Sequence, residues 1–158
     1  MYRFLFDLVL RRLDAERAHR LGKRSLHAAR ATAPGRALLQ RRVGPPDPIL
    51  EVRAWGLTFP SPLGVAAGLD KDGSWYEDLL ALGFGHVEVG TVTALAQPGN
   101  QPPRIIRVPQ DRALINRMGF PGPGAAAVAE RLVGRHRGAG VVGVNVGKSR
   151  AAAPAPAA

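Results

Sequence analysis

The chain has 158 residues, no cysteine, 46% hydrophobic residues, and 22 lysines plus arginines against 12 aspartates plus glutamates, a formal charge of +10. That is one domain's worth of chain, long enough to bury a core without staples, and the lack of cysteine excludes disulfide frameworks, cysteine metal sites and thiol nucleophiles together. With 19 glycines and 14 prolines it has too many turn residues for a helical bundle and too few for a collagen-like or low-complexity chain, so a loop-rich mix of helices and strands is expected.

Residues 1–50 carry a net charge of +7 and residues 51–158 only +3. Met1–Leu13 holds an apolar stretch too short to cross a bilayer and interrupted by Asp7, which also spoils it as a secretory signal. Leu5, Val9 and Leu13, beside Tyr2 and Phe6, follow helical spacing. Asp14 then reads as the N-cap of a second short helix through about Ala29, with Ala18, Leu21 and Leu26 on its apolar side and Arg17, Arg20, Lys23 and Arg24 on the other. Two such helices suit an anionic membrane surface, or an ordinary hairpin packed on the rest of the chain. Nucleic-acid binding would call for aromatic interleaving or a recognisable motif, and the segment has neither.

Pro34–Pro48 reads as a linker by composition. Leu50–Phe59 alternates on either side of Gly56 as a hairpin does, and Leu63–Gly68 is an apolar run fit for a buried parallel strand. Ser74–Leu82 is expected to be a helix with Trp75, Leu79 and Leu82 on one face. His86–Thr93 is a second strand, Arg104–Val108 with Ala113–Ile115 an inserted hairpin, Ala125–Val133 a helix, and Gly140–Val146 a third strand. The order β-α-β-(hairpin)-α-β calls for a parallel sheet. Its unusual residues cluster at three carboxyl strand ends: Ala66–Gly73, Gly90–Thr93 and Asn145–Ser149. That edge is where parallel α/β folds bind ligands. Taken singly, each cluster is also what a plain glycine turn would show, with Asp72 capping the following helix. Lysine is rare here, three against 19 arginines, yet Lys71 and Lys148 both stand in these turns, where a compact cation can reach a phosphate, a flavin ring or an anionic substrate. A Walker loop is excluded, since Gly143 and Gly147-Lys148 are one residue too close.

The segments Ala67–Gly73, Gly83–Thr93, Gln97–Asn100, Pro103–Arg107, Leu114–Phe120 and Gly143–Lys148 resemble class 2, quinone-dependent dihydroorotate dehydrogenases. Leu13–His19 resembles the start of that family's membrane-associated helical extension, which the cytosolic class 1 enzymes lack. The resemblance implies a (β/α)8 TIM barrel with FMN at its carboxyl face and oxidation of dihydroorotate to orotate in pyrimidine synthesis. The electrons pass to a membrane quinone. It implies a peripheral place on the cytoplasmic side of a bacterial cell membrane. Carried over by position, Ala67, Gly68, Leu69, Asp70, Lys71, Thr91 and Asn145 would contact FMN. Lys71, Asn116, Arg117, Met118, Gly119 and Phe120 would contact the substrate, and His19 and Arg107 would lie near the quinone. Lys148 would support that face. No metal is implied.

A whole barrel takes roughly 250 residues. Setting aside residues 1–45 as the extension and linker, residues 46–149 leave room for some three βα units, the amino-terminal portion of such a barrel, and residues 150–158 read as a disordered Ala/Pro tail. The resemblance places the family's catalytic base, a serine, in an Asn-x-Ser-Ser-Pro-Asn motif that this sequence does not contain, so no catalytic residue is assigned. The expectation is a truncated enzyme, inactive alone. The alternative is a non-catalytic basic protein, derived from the enzyme, that associates with membranes or partners.

Overall fold

The computed structural model describes residues 6, 8, 12–134 and 140–150. Most of the helix expected over residues 2–13, and the tail 151–158, lie outside them.

Helix α1 (Ala15–Ala31) starts where the Asp14 carboxylate accepts the Arg17 N–H at 3.0 Å. It ends at Thr32, which also caps the next helix, α2 (Ala33–Val43), by accepting the Gly35 N–H at 3.2 Å. The linker expected from Pro34 onward is therefore helical over most of its length. Pro34 lies in the first turn, where a missing N–H breaks no bond, and Ala-Leu-Leu-Gln-Arg-Arg behind it are good helix formers.

Strands β1 (Val52–Ala54) and β2 (Leu57–Phe59) pair antiparallel around Trp55 and Gly56. The main sheet consists of β3 (Gly64–Val65), β4 (His86–Thr93) and β7 (Val141–Gly147), parallel and in the order β3-β4-β7. Between them come α3 (Tyr76–Leu80), the antiparallel hairpin β5 (Ile105–Val108) with β6 (Ala113–Asn116), and α4 (Ala125–Val133). Val87 and Val89 of β4 are wholly buried. Around them pack Val65, Trp75, Tyr76, Leu79, Val92 and Val128, with Leu26 of α1 at the margin.

The expected order of elements is thus present, with two shortened. The first strand pairs only at Gly64–Val65, because at Ala67 the chain leaves the sheet: its N–H goes to the Glu88 side chain, and the Gly68 N–H goes to the Gly90 carbonyl at 2.7 Å. Helix α3 spans five residues. Trp75 and Leu79 are buried as expected, but Leu82 falls beyond the helix and is exposed. The carboxylate that organises the start of α3 is Asp70, where the sequence offered Asp72: Asp70 accepts the N–H groups of Asp72, Ser74 and Trp75 at 3.4, 3.2 and 2.8 Å.

Candidate active site at the carboxyl ends of the strands

Parallel pairing places the turn after β3, the last residues of β4 and the end of β7 at one edge of the sheet. The bond from Gly68 to Gly90 and a second from the Gly90 N–H to the Asp70 carbonyl, 2.8 Å, lay the first turn against β4. Only glycine serves at position 90. Its φ is +124°, and an added Cβ would sit 2.6 Å from the Asn145 carbonyl oxygen.

At this edge a cavity of about 290 Å³ is lined by Ala67, Gly68, Lys71, Thr91, Asn116, Met118, Gly119, Phe120 and Pro121. Residues expected to hold a cofactor and residues expected to hold a substrate therefore face one another across one space. A larger cavity, about 880 Å³, lies at the opposite end beside Pro45, Leu57, Phe84 and Val141, and Asp47 is the one charged residue in its lining. Charged and polar donors converge in the smaller cavity.

Lys71 is half-buried, and burial holds its pKa below the usual lysine value, with the Glu16 carboxylate opposing. One of its N–H groups goes to the Gly68 carbonyl, which leaves two of the three for a ligand. Thr91 donates its hydroxyl hydrogen to the Asn145 Oδ1 at 2.6 Å. The Asn145 amide in turn donates from Nδ2 to the Glu88 Oε1 at 3.3 Å, and the Glu88 Oε2 accepts the Ala67 N–H at 3.2 Å. A carboxylate only accepts, so this chain fixes the orientation of the amide, and Thr91 turns its lone pairs toward the cavity. Asn116 accepts the Met118 N–H at 3.0 Å through Oδ1, which leaves its NH2 group as the donor for a ligand.

Four expected ligand residues do not line the cavity. Asn145 stands behind Thr91 and orients it. Asp70 is buried and spends its carboxylate on backbone N–H groups. Leu69 is exposed, and the Arg117 guanidinium folds onto the Pro103 carbonyl at 2.9 Å. Lys148 is exposed past the end of β7 and does not line the cavity either. His19, on α1, meets the Trp75 ring edge-on at 5.1 Å. Burial and then the charges of Lys71 and Lys23 hold its pKa below the usual histidine value. Arg107, on β5, donates to the Leu13 carbonyl at 2.6 Å. Both stand where α1 and the residue leading into it meet the rest of the chain.

Three residues with structural influence on the site carried no assigned role in the sequence. Glu88 is one, and a carboxylate inside a valine-rich strand is a signal that could have found it. Gln97 and Asn100 are the others. The Gln97 amide donates to the Gly119 and Phe120 carbonyls at 3.2 and 3.0 Å, and Asn100 donates from its backbone to the Met118 carbonyl at 2.9 Å and from Nδ2 to the Arg117 carbonyl at 2.6 Å. They shape the 116–121 loop by holding its backbone. Arg150, expected in a disordered tail, is bound to both: its N–H goes to the Gln97 Oε1 and its guanidinium to the Asn100 Oδ1.

Residues 49–155 match the dihydroorotate dehydrogenase family. A protein of Leifsonia xyli subsp. xyli named dihydroorotate dehydrogenase (quinone) is 57% identical over 155 residues, 97% of this chain and 45% of that protein. One of Thermobifida fusca with the same name is 53% identical over 154 residues, 95% of this chain and 41% of that protein. The crystal structure of DHODH from Eimeria tenella in complex with ferulenol superposes with a TM-score of 0.63 at 42% identity, over 69% of this chain and 31% of that one. The chain spans less than half the length of the curated relatives it matches. With its parallel βα units and glycine-flanked strand ends, the chain belongs to the dihydroorotate dehydrogenase family, and its fold is part of that family's TIM barrel.

Proposed function

We propose that this chain forms one side of the flavin and substrate site of a quinone-dependent dihydroorotate dehydrogenase, which oxidises dihydroorotate to orotate in pyrimidine synthesis. The observation that carries the reading is the shared cavity, in which Ala67, Gly68, Lys71 and Thr91 face Asn116, Met118, Gly119 and Phe120. Its donor set fits a flavin ring and a carboxylate substrate. An ammonium and an amide NH2 meet carbonyl and carboxylate oxygens, the Thr91 lone pairs meet a ring N–H, and the open space at Gly68, where a Cβ would meet nothing within 4 Å, leaves room for a flat ring against the backbone. FMN bound there would supply the hydride acceptor and pass electrons on to a quinone.

In this reading Lys71 brings positive charge to the oxidised ring and to the substrate carboxylate, and its partial burial strengthens both interactions. Asn116 orients the pyrimidine ring through its amide, and Phe120 and Met118 supply an apolar side to the cavity. Among the described residues lining the cavity, Lys71 is the one with a titratable side chain, and in this reading it serves as a cation. His19 and Arg107 form the quinone side, where α1 meets β5. The outward Leu21 and Leu38, among the arginines of α1 and α2, suit peripheral contact with an anionic membrane. Among the described residues, no helix is long and apolar enough to cross one.

The test is a chimera in which residues 1–149 replace the matching segment of the Leifsonia xyli protein. It is expected to purify yellow, to reduce quinone with dihydroorotate, and to lose at least about 100-fold in turnover on Lys71→Ala, since a positioned charge of this kind is typically worth that much. A folded, yellow chimera whose turnover survives Lys71→Ala would overturn the assignment.

A further inference from the structure

Helix α1 buries none of its residues fully, packs on the core at its margin through Leu26, and lines none of the cavity, so apolar packing alone does not explain what it contributes there. Its charged side chains do. Glu16 and Lys23 lie seven residues apart, two turns along one face and about 10 Å along the axis.

The Glu16 carboxylate takes two bonds from Arg104, at 2.8 and 2.9 Å. The pair is well covered, with side chains 21% and 14% exposed, and the Arg104 contact holds Glu16 below the usual carboxylate pKa. Arg104 also donates to the Pro98 and Asn100 carbonyls at 2.8 and 3.1 Å, and its own carbonyl accepts the Arg117 N–H at 2.9 Å. Glu16 thus reaches, through one guanidinium, the 97–100 turn that holds the 116–121 wall.

Lys23 reaches the other wall. Its ammonium bonds the Asp72 carboxylate at 3.4 Å and the Ser74 hydroxyl. Asp72 is held as well by Arg131 of α4, 3.1 Å away. These residues frame the turn that carries Lys71 into the cavity.

We propose that α1 is a brace between the two walls: Glu16 and Lys23 are positioning residues that set the gap between Lys71 and the 116–121 loop. The inference concerns the cavity's shape and stands whether or not the flavin reading holds. Two independent surface fasteners would each steady only their own wall, whereas a brace makes each wall respond to the other's anchor.

Amide hydrogen exchange of the 158-residue chain separates the two. In Lys23→Met, exchange at Asn100 and Arg117 is expected to rise about threefold to fivefold although Lys23 touches neither, and in Glu16→Gln the same rise is expected at Ser74 and Trp75. Val87 and Val89 of β4 stay unchanged, and Lys23→Arg and Glu16→Asp restore slow exchange. The chain has three lysines, so the Lys71 Cε resonance of lysine-labelled protein is readily followed, and it is expected to shift in Glu16→Gln and Lys23→Met alike. If the variants fold poorly, raising KCl from 0.05 to 1 M on the unaltered chain should speed exchange at both walls together. A response confined to the wall of the altered residue, a salt effect on one wall only, or a uniform rise that includes β4 overturns the brace.

Discussion

Strand β4 and helix α1 are held in this molecule by opposite means. The strand is flanked by a partner on each edge, and Val87 and Val89 are fully buried. The helix places Leu21 about half exposed, touches the core at its margin through Leu26 and His19, and is otherwise docked through Glu16, Lys23, His27 and Arg30, a series at 3.5-residue spacing whose partners are Arg104, Asp72, Asp78 and Glu77. Burial makes the sheet a fixed platform for Thr91 and Asn145. Ionic docking makes the helix an attachment whose strength depends on salt and pH.

The sharpest way to break that contrast is to weaken the platform. Val89→Ala removes two methyl groups from a site with no exposure and is expected to cost about 2–3 kcal/mol in chemical denaturation, from lost transfer energy and the cavity left behind. The loss should be nearly the same at 0.05 and 1 M KCl. A salt-dependent loss, or one below about 1 kcal/mol, would mean that the sheet is not the dry core described here.

The contrast also decides what could be read from the sequence. Strand β4 and helix α4 were legible to the residue, because their apolar periodicity is fixed by the core they face. Helix α2 was hidden by Pro34 and Gly35, breakers in most positions yet harmless in a first turn. Periodicity sets Lys23 on the basic side of α1, yet its ammonium meets Asp72, because periodicity separates apolar from polar faces and cannot say which charge finds a partner. In the site, eight of the nine residues lining the cavity had been singled out, through motif resemblance more than through periodicity. Asp70 and Asn145 carry the same resemblance, yet in the structure they organise backbone and Thr91. A sequence shows that a polar residue stands at a strand end, and only the fold shows whether it faces the cavity or the residue that lines it.

A weaker test falls on the docking of α1. Asp78 is almost fully buried and binds the Arg30 Nε and the His27 Nδ1, the latter at 3.1 Å. Asp78→Asn keeps the shape and removes the charge. The Arg30 side chain stays one-third exposed and keeps Glu77 at 2.9 Å, so the expected cost is about 1–2 kcal/mol, below the 3–5 kcal/mol typical when a partner is stranded in the interior. Unlike the Val89→Ala loss, it should shrink in 1 M KCl. Equal losses at both salt concentrations would show that Asp78 acts by packing.

The smallest expected effect is a dependence on acid. Burial alone would raise the Asp72 pKa, but the Ser74 hydroxyl, Lys23 and Arg131 bring it down to about 2, against about 3.9 in an unfolded chain. A folded pKa below the unfolded one means that the unfolded chain binds the proton first, so the carboxylate's contribution is complete above about pH 4 and is lost as pH falls toward 2. Glu16 moves in the same direction through Arg104. Asp70, raised by burial, moves the other way and offsets part of the slope. Asp72 is also about one-third exposed, where solvent screens its partners. The unaltered chain is therefore expected to melt a few degrees above Asp72→Asn at pH 6, with the gap closing between about pH 4 and pH 2. Melting curves of both proteins across that range make the measurement. A gap that persists at pH 2 would assign the role of Asp72 to hydrogen bonds that asparagine reproduces poorly, with little left for its charge, and the docking of α1 at Lys23 would then not be ionic.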